Sequence, residues 1–171
     1  SYGNWFGGRY IDEKDFFANF AVEPSSYLDL YPEYVIPVDQ RIRFLKNRKG
    51  CLVGRKLAER FRWNAGDLIT LTGTIFPGKW EFVLCGIYEG SSKNIDETLF
   101  FFHWDYLNES IKKKTPLSSD HVGFYMIGIE NPYMAASISD AIDKTFKNSI
   151  AETLTETEKA FQMGFVTMSE A

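Results

Sequence analysis

Between Gly50 and Tyr88 the hydrophobic period of the chain changes twice, and that change constrains the fold more than any other feature. Cys51-Leu-Val53, flanked by Gly50 and Gly54, reads as a short buried strand. Arg55-Lys-Leu-Ala-Glu-Arg-Phe61 then puts Leu57, Ala58 and Phe61 on one face of a helix and leaves the charges outside. Asn64-Ala-Gly-Asp67 is turn chemistry. Beyond it Leu68–Thr72 and Lys79–Tyr88 read as antiparallel strands. The second alternates Trp80, Phe82 and Leu84 with Glu81 and Val83, the pattern of a half-buried strand.

The flanking segments extend this pattern. Two strands, Tyr2–Ile11 and Phe16–Val22, are expected around the charged turn Asp12–Asp15, followed by a short helix capped by Ser25 or Ser26. Val38–Arg48 has Val38, Ile42 and Leu45 at helical spacing and is expected to stop at Gly50. Gly90-Ser-Ser-Lys-Asn94 is a polar loop. Thr98–Phe102 reads as a strand leading into a helix over Trp104–Ile111, then an exposed loop Lys112–Asp120 whose lysine triplet reads as solvated surface. His121–Ile129 reads as a strand. Pro132 opens a helix with Ala135, Ile138, Ile142 and Phe146 in one stripe. Strands and helices in this order, with hairpins between, predict an α+β fold.

At 171 residues the chain suits one domain or two small lobes. Aromatic residues make up 16%, with 15 Phe, so a phenylalanine-rich core is expected. A formal charge of -4 argues against nucleic acid as a partner. The longest apolar runs are tetrads such as Leu99–Phe102, too short to span a bilayer. A strand is already under way at Tyr2, and a capping-box pattern, Thr155 with Glu158, starts a tail that runs to Ala171 without a terminating Gly or Pro. The chain therefore reads as an excised piece of a longer protein. Cys51 and Cys85 each lie in an apolar stretch and read as buried free thiols, a count that assigns no redox compartment.

No motif points to catalysis. Gly73-Thr-Ile-Phe-Pro-Gly78-Lys79 follows a strand and approaches a phosphate-binding loop, but Trp80 stands where a hydroxyl must hold the metal, and strand follows where a helix is needed. His103 and His121 lack the spacing of a zinc site and read as strand-edge or helix-cap residues. A hydrolase would need one of them about 3 Å from a nucleophile. Asp12/Glu13 and Glu156/Glu158 fit a turn and a helix start. Asn108-Glu-Ser110 matches a glycosylation acceptor, a tripeptide common by chance. The expectation is no catalytic, cofactor-binding or metal-binding residue, with substrate contacts unassigned.

Gly50–Phe61, then Gly66-Asp-Leu-Ile-Thr-Leu71, then Trp80–Tyr88 together resemble the MacB-like periplasmic core domain of FtsX-like (type VII) ABC transporter permeases. That family runs from a strand ending in Val-Gly through a helix carrying Leu-Ala and a Gly-Asp turn to a strand ending in Gly-Ile or Gly-Val. Here Gly54 would allow the tight strand-to-helix turn, Gly66 a left-handed residue, and Gly86 a close approach. Trp5–Tyr10, Phe16–Val22 and the tail Thr155–Met168 also look like the family. Two departures stand out: family members begin this domain with a further strand and helix, which are expected to lie before Ser1, and Cys51 stands where the family has a small residue.

The resemblance implies a two-lobed α+β domain. A Porter-like lobe would comprise 1–30 and 96–150, a Sabre-like, mostly-β lobe 31–95, and residues 151–171 a helix toward a second transmembrane segment. It implies a non-catalytic, extracytoplasmic part of a bacterial inner-membrane permease. The expected partners are a second copy of the permease, a cytoplasmic ATP-binding subunit, and an adaptor protein or exported substrate. Without the resemblance, a periplasmic ligand-sensing or adaptor module also suits such a domain.

Overall fold

Phe100-Phe-Phe-His103 forms the central strand of a mixed sheet that is buried on both faces. The computed structural model describes residues 1–12 and 14–169, with the backbone alone for 165–169. The chain divides into two compact units, Ser1–Met126 and Ile127–Ala171.

The first unit carries eight strands: β1 (Tyr2–Trp5), β2 (Asn19–Val22), β3 (Tyr34–Val35), β4 (Gly50–Gly54), β5 (Leu68–Gly73), β6 (Gly78–Gly90), β7 (Phe100–His103) and β8 (Phe124–Tyr125). Its helices are α1 (Pro24–Leu30), α2 (Val38–Lys46), α3 (Arg55–Phe61) and α4 (Trp104–Lys114). The strand order is β3-β6-β4-β7-β2-β1-β8, with β5 also on β6. β2 with β7 and β4 with β6 are parallel; the other pairs are antiparallel. Arg9, just past β1, exchanges backbone hydrogen bonds of 2.9 and 2.8 Å with Thr72 of β5, so the sheet curls back toward its own start.

The period of 2 in β7 sends successive phenylalanines to opposite faces. Phe100 and Phe102 enter one core with Phe6, Leu57, Trp80, Phe82 and Leu107. Phe101 enters the other with Tyr27, Leu28, Phe44, Leu52 and Tyr88. Helices α3 and α4 therefore cover one face, and α1 and α2 the other. A strand covered on both faces reads as an unbroken apolar run, which explains the apolar tetrad Leu99–Phe102. Each ring buried this fully contributes about 1.5–3 kcal/mol.

Several expected elements are shorter than their sequence patterns. Tyr2–Ile11 keeps only four strand residues, because the chain turns away at Gly7 and Gly8. Phe16–Val22 pairs only from Asn19, whose buried side chain donates to the Gly8 carbonyl at 2.8 Å and accepts from the Gly8 amide at 2.7 Å. His121–Ile129 pairs only at Phe124 and Tyr125. The cap of α1 is Glu23 rather than a serine: its carboxylate accepts from the Ser25 and Ser26 amides at 3.2 and 2.8 Å. On α2 the expected stripe is only partly buried: Val38 and Ile42 are exposed, Leu45 packs at the edge of the core, and Phe44 is the residue fully inside it. That helix ends at Asn47, and Gly50 belongs to β4. The lysine triplet is helical, forming the last turn of α4.

Strands from 31–95 and from 1–30 and 96–126 share this one sheet, where β4 pairs with β7 through Cys51–Phe102, Leu52–Phe101 and Val53–Phe100. The segment boundary near residue 95 is thus bridged by a strand pair. In the second unit, α5 (Ala135–Phe146) follows a single turn at Pro132–Met134, and α6 spans Glu158–Ser169. Thr155 does not cap α6. Its amide and hydroxyl donate to Asp143 of α5 at 3.1 and 2.7 Å, and the Thr157 hydroxyl accepts from the Ala160 amide instead.

Candidate functional site

His103 closes β7 and opens α4, so its side chain is held between the sheet and α2. It is buried, its ring meets Phe44 edge-on at 5.0 Å, and Nε2 lies 2.6 Å from the Phe44 carbonyl. A carbonyl only accepts, so Nε2 carries the proton. Burial lowers the histidine pKa, against the opposing pull of the Phe44 carbonyl, Asp105 and Glu23. The ring is thus neutral and committed to a structural bond. His121 is exposed in the segment before β8.

The two thiols lie on neighbouring parallel strands. A register shift after Cys51 sets Leu84 opposite Cys51 and Gly86 opposite Leu52, leaving Cys85 as the extra residue. Cys51 therefore packs in one core and Cys85 in the other. Both are free and buried, and burial raises both thiol pKa values, that of Cys51 well above the ordinary value. Neither is an activated nucleophile.

The phosphate-loop-like run is the β5–β6 hairpin. Gly73 pairs with Gly78, the Trp80 indole donates to the Phe76 carbonyl at 3.0 Å, and Lys79 continues as strand. Strand β6 follows that turn where a phosphate-binding loop would continue into a helix. Asn108 is buried within α4; its amide donates to the Asp120 carboxylate at 2.8 Å and its oxygen accepts from the Asp120 backbone at 2.7 Å, so the side chain has a structural role in the fold. Asp12 accepts from the Lys14 amide in its turn, while Glu13 lies outside the described residues. Glu158 sits in the first turn of α6 and Glu156 is exposed ahead of it. Among the described residues, no three His, Cys, Asp or Glu side chains converge as a metal site.

Two open clefts among the described residues bear on function. One, of about 570 Å³, runs beside the end of α2 and is lined by Ile42, Arg43, Lys46, Arg48 and Cys85 among others. Its cations sit at the negative end of the α2 dipole, which already accounts for their placement. The other, of about 350 Å³, lies along α3 at Arg55, Glu59, Arg62 and Trp63. The lining residues of neither cleft pair a nucleophile with a base.

Sequence reasoning missed Glu97. It is only 9% exposed, accepts from Arg55 at 2.9 Å and from the Gly90 amide at 3.1 Å, and so ties the end of β6 to α3. Burial pushes its pKa up, but the Gly90 and Arg55 hydrogen bonds outweigh that and leave it lowered. Nothing local marks it: its partners are 7 and 42 positions away.

No family model matches the chain, and no curated protein sequence does. A solved structure described as a permease domain from Porphyromonas gingivalis is similar to it at a TM-score of 0.44 and 12% identity, over 95% of this chain and 65% of that one. The chain thus spans just under two thirds of that neighbour's length. At this identity and score the likeness bears on neither activity nor partners. No helix among the described residues is long and apolar enough to cross a membrane.

Proposed function

We propose that the chain is the non-catalytic, extracytoplasmic domain of an FtsX-like ABC transporter permease. One observation carries this reading: the run that resembles the MacB-like periplasmic core domain forms the hub of the sheet, as β4, α3, β5 and β6 in succession. Its glycines have physical reasons. Gly66 has φ +99, a backbone that side chains rarely adopt, and a Cβ on Gly54 would stand 2.1 Å from the Glu97 carbonyl oxygen.

On this reading the domain's task is mechanical. ATP is hydrolysed by a cytoplasmic subunit, a second copy of the permease completes the assembly, and motion of the membrane part is passed outward to a substrate or adaptor protein. A sheet packed with aromatic rings on both faces suits that task, because close-packed interiors deform little under load.

The test is made on the full-length protein from the complete reading frame. Three further hydrophobic spans after this segment are expected. Removing the segment should leave ATP hydrolysis by the reconstituted complex intact and abolish substrate movement. A single span leading to a signalling helix would refute the permease reading in favour of a sensor.

A further inference from the structure

We propose that the cleft at the end of α2 binds a small organic anion, a carboxylate, sulfonate or phosphate group carried on an apolar body. Both walls of the cleft are fixed. α2 is held over β6 by Gln40, whose side-chain oxygen accepts from the Ile87 amide at 2.9 Å. On the sheet side, the register shift in β6 makes Cys85 the extra residue and sets it in the core with Phe44 of α2. The space between measures about 570 Å³. Small-molecule sites run from about 300 to 1,000 Å³, so there is room for more than a bare inorganic ion.

The lining is of two kinds. Ile42, 47% exposed, and Val83 supply apolar surface. Arg43, Lys46 and Arg48 supply charge, and among the described residues no carboxylate lines the cleft. Asp67, beside Gly66 of the lining, accepts from the Asn64 amide at 2.8 Å. Arg43 pairs with Asp39 one turn back, but the two side chains are 59% and 66% exposed, and an exposed pair is weak. Among the described residues, Lys46 and Arg48 form no ion pair. The α2 dipole explains why cations gather at this end, yet it amounts to about half a charge. Three cations against Asp39 and that half charge leave a positive excess, in a chain of formal charge -4.

A guanidinium presents paired donors to an oxyanion, and an ammonium beside it adds a point charge. An anionic group is therefore held at Arg43, Lys46 and Arg48, while the body it is attached to covers Ile42 and Val83. The inference goes beyond the permease reading and does not depend on it.

The experiment titrates the 171-residue chain with anilinonaphthalene sulfonate, with phenylnaphthylamine as the uncharged control of the same ring system and with inorganic phosphate as the bare anion. Saturable binding of the sulfonate is expected, weakening as salt is raised, with the amide resonances of Gly66 and Cys85 shifting. Lys46→Gln and Arg48→Gln should each weaken it about fivefold. Asp39→Asn, which releases Arg43, should tighten it about twofold. Lys93→Gln makes the same charge change in the 90–94 loop, away from the cleft, and should leave binding unchanged. Circular dichroism melts confirm that each variant folds. No binding of the sulfonate, equal affinity for the uncharged control, equal affinity for phosphate, indifference to the Lys46 and Arg48 substitutions, or an equal loss in Lys93→Gln would each overturn the proposal.

Discussion

Trp80→Ala tests whether the β6 hairpin belongs to the main core or is an appendage. Trp80 is 4% exposed, meets Phe6 edge-on at 5.3 Å and Tyr106 at 5.5 Å, donates its indole N–H to Phe76 at 3.0 Å, and lies under Lys114. Truncating a tryptophan in such a setting costs about 3–5 kcal/mol, through lost transfer energy and the cavity left behind. For a domain of this size each kcal/mol lowers Tm by about 2–4 °C, so the expected drop is about 6–20 °C. Trp80→Phe separates the contributions: it keeps a ring against Phe6 and loses the indole donor, which contributes about 1 kcal/mol. Urea unfolding followed by far-ultraviolet circular dichroism gives both numbers. A loss under about 1 kcal/mol for Trp80→Ala, with an unchanged slope, would refute the reasoning and place the hairpin outside the cooperative core.

Glu97→Ala should cost about 1–2 kcal/mol in the same assay, since it strips a charge-assisted hydrogen bond from the Gly90 amide; a neutral result would show that Arg55 and Gly90 are satisfied by water. Because the folded-state pKa of Glu97 is lowered, its contribution is present above the ordinary glutamate value and is lost as pH falls through the lower folded value, a slope that Glu97→Gln should remove. His103 acts at a higher pH. Its lowered pKa means that the unfolded chain takes up a proton the native state refuses, so stability should fall as pH drops below about 6.5, and His103→Gln should flatten denaturation midpoints measured across that range. Gly54→Ala should destabilise by several kcal/mol, on the order of the severe core substitutions, because its methyl would overlap the Glu97 carbonyl; an unchanged melting temperature would mean that the 96–98 backbone yields freely.

Where the signal is local, the sequence suffices. The alternation of Trp80, Phe82 and Leu84 identifies β6, and the Val53-Gly54 junction followed by Leu57 and Ala58 identifies β4 and α3, because period and turn chemistry are set by neighbours along the chain. That strand and not helix follows the Gly73–Gly78 turn is equally legible, since Trp80 continues the alternation of β6. Which face of an element meets the core is a different matter. On α2, Val38, Ile42 and Leu45 form the more obvious stripe, yet Phe44 is the fully buried residue, packed edge-on against His103, while Leu45 reaches only the margin of the core. The strands beginning at Tyr2 and Phe16 are cut short by the contact between Asn19 and Gly8, whose partners are 11 residues apart. The pairing of β4 with β7 joins segments that the family resemblance assigned to different lobes, and the hold of Glu97 on Arg55 spans 42 positions. Backbone pairing and long-range ion pairs depend on proximity in space, which no periodicity records, so the partners of β4 and of Glu97 were decided by the tertiary fold alone.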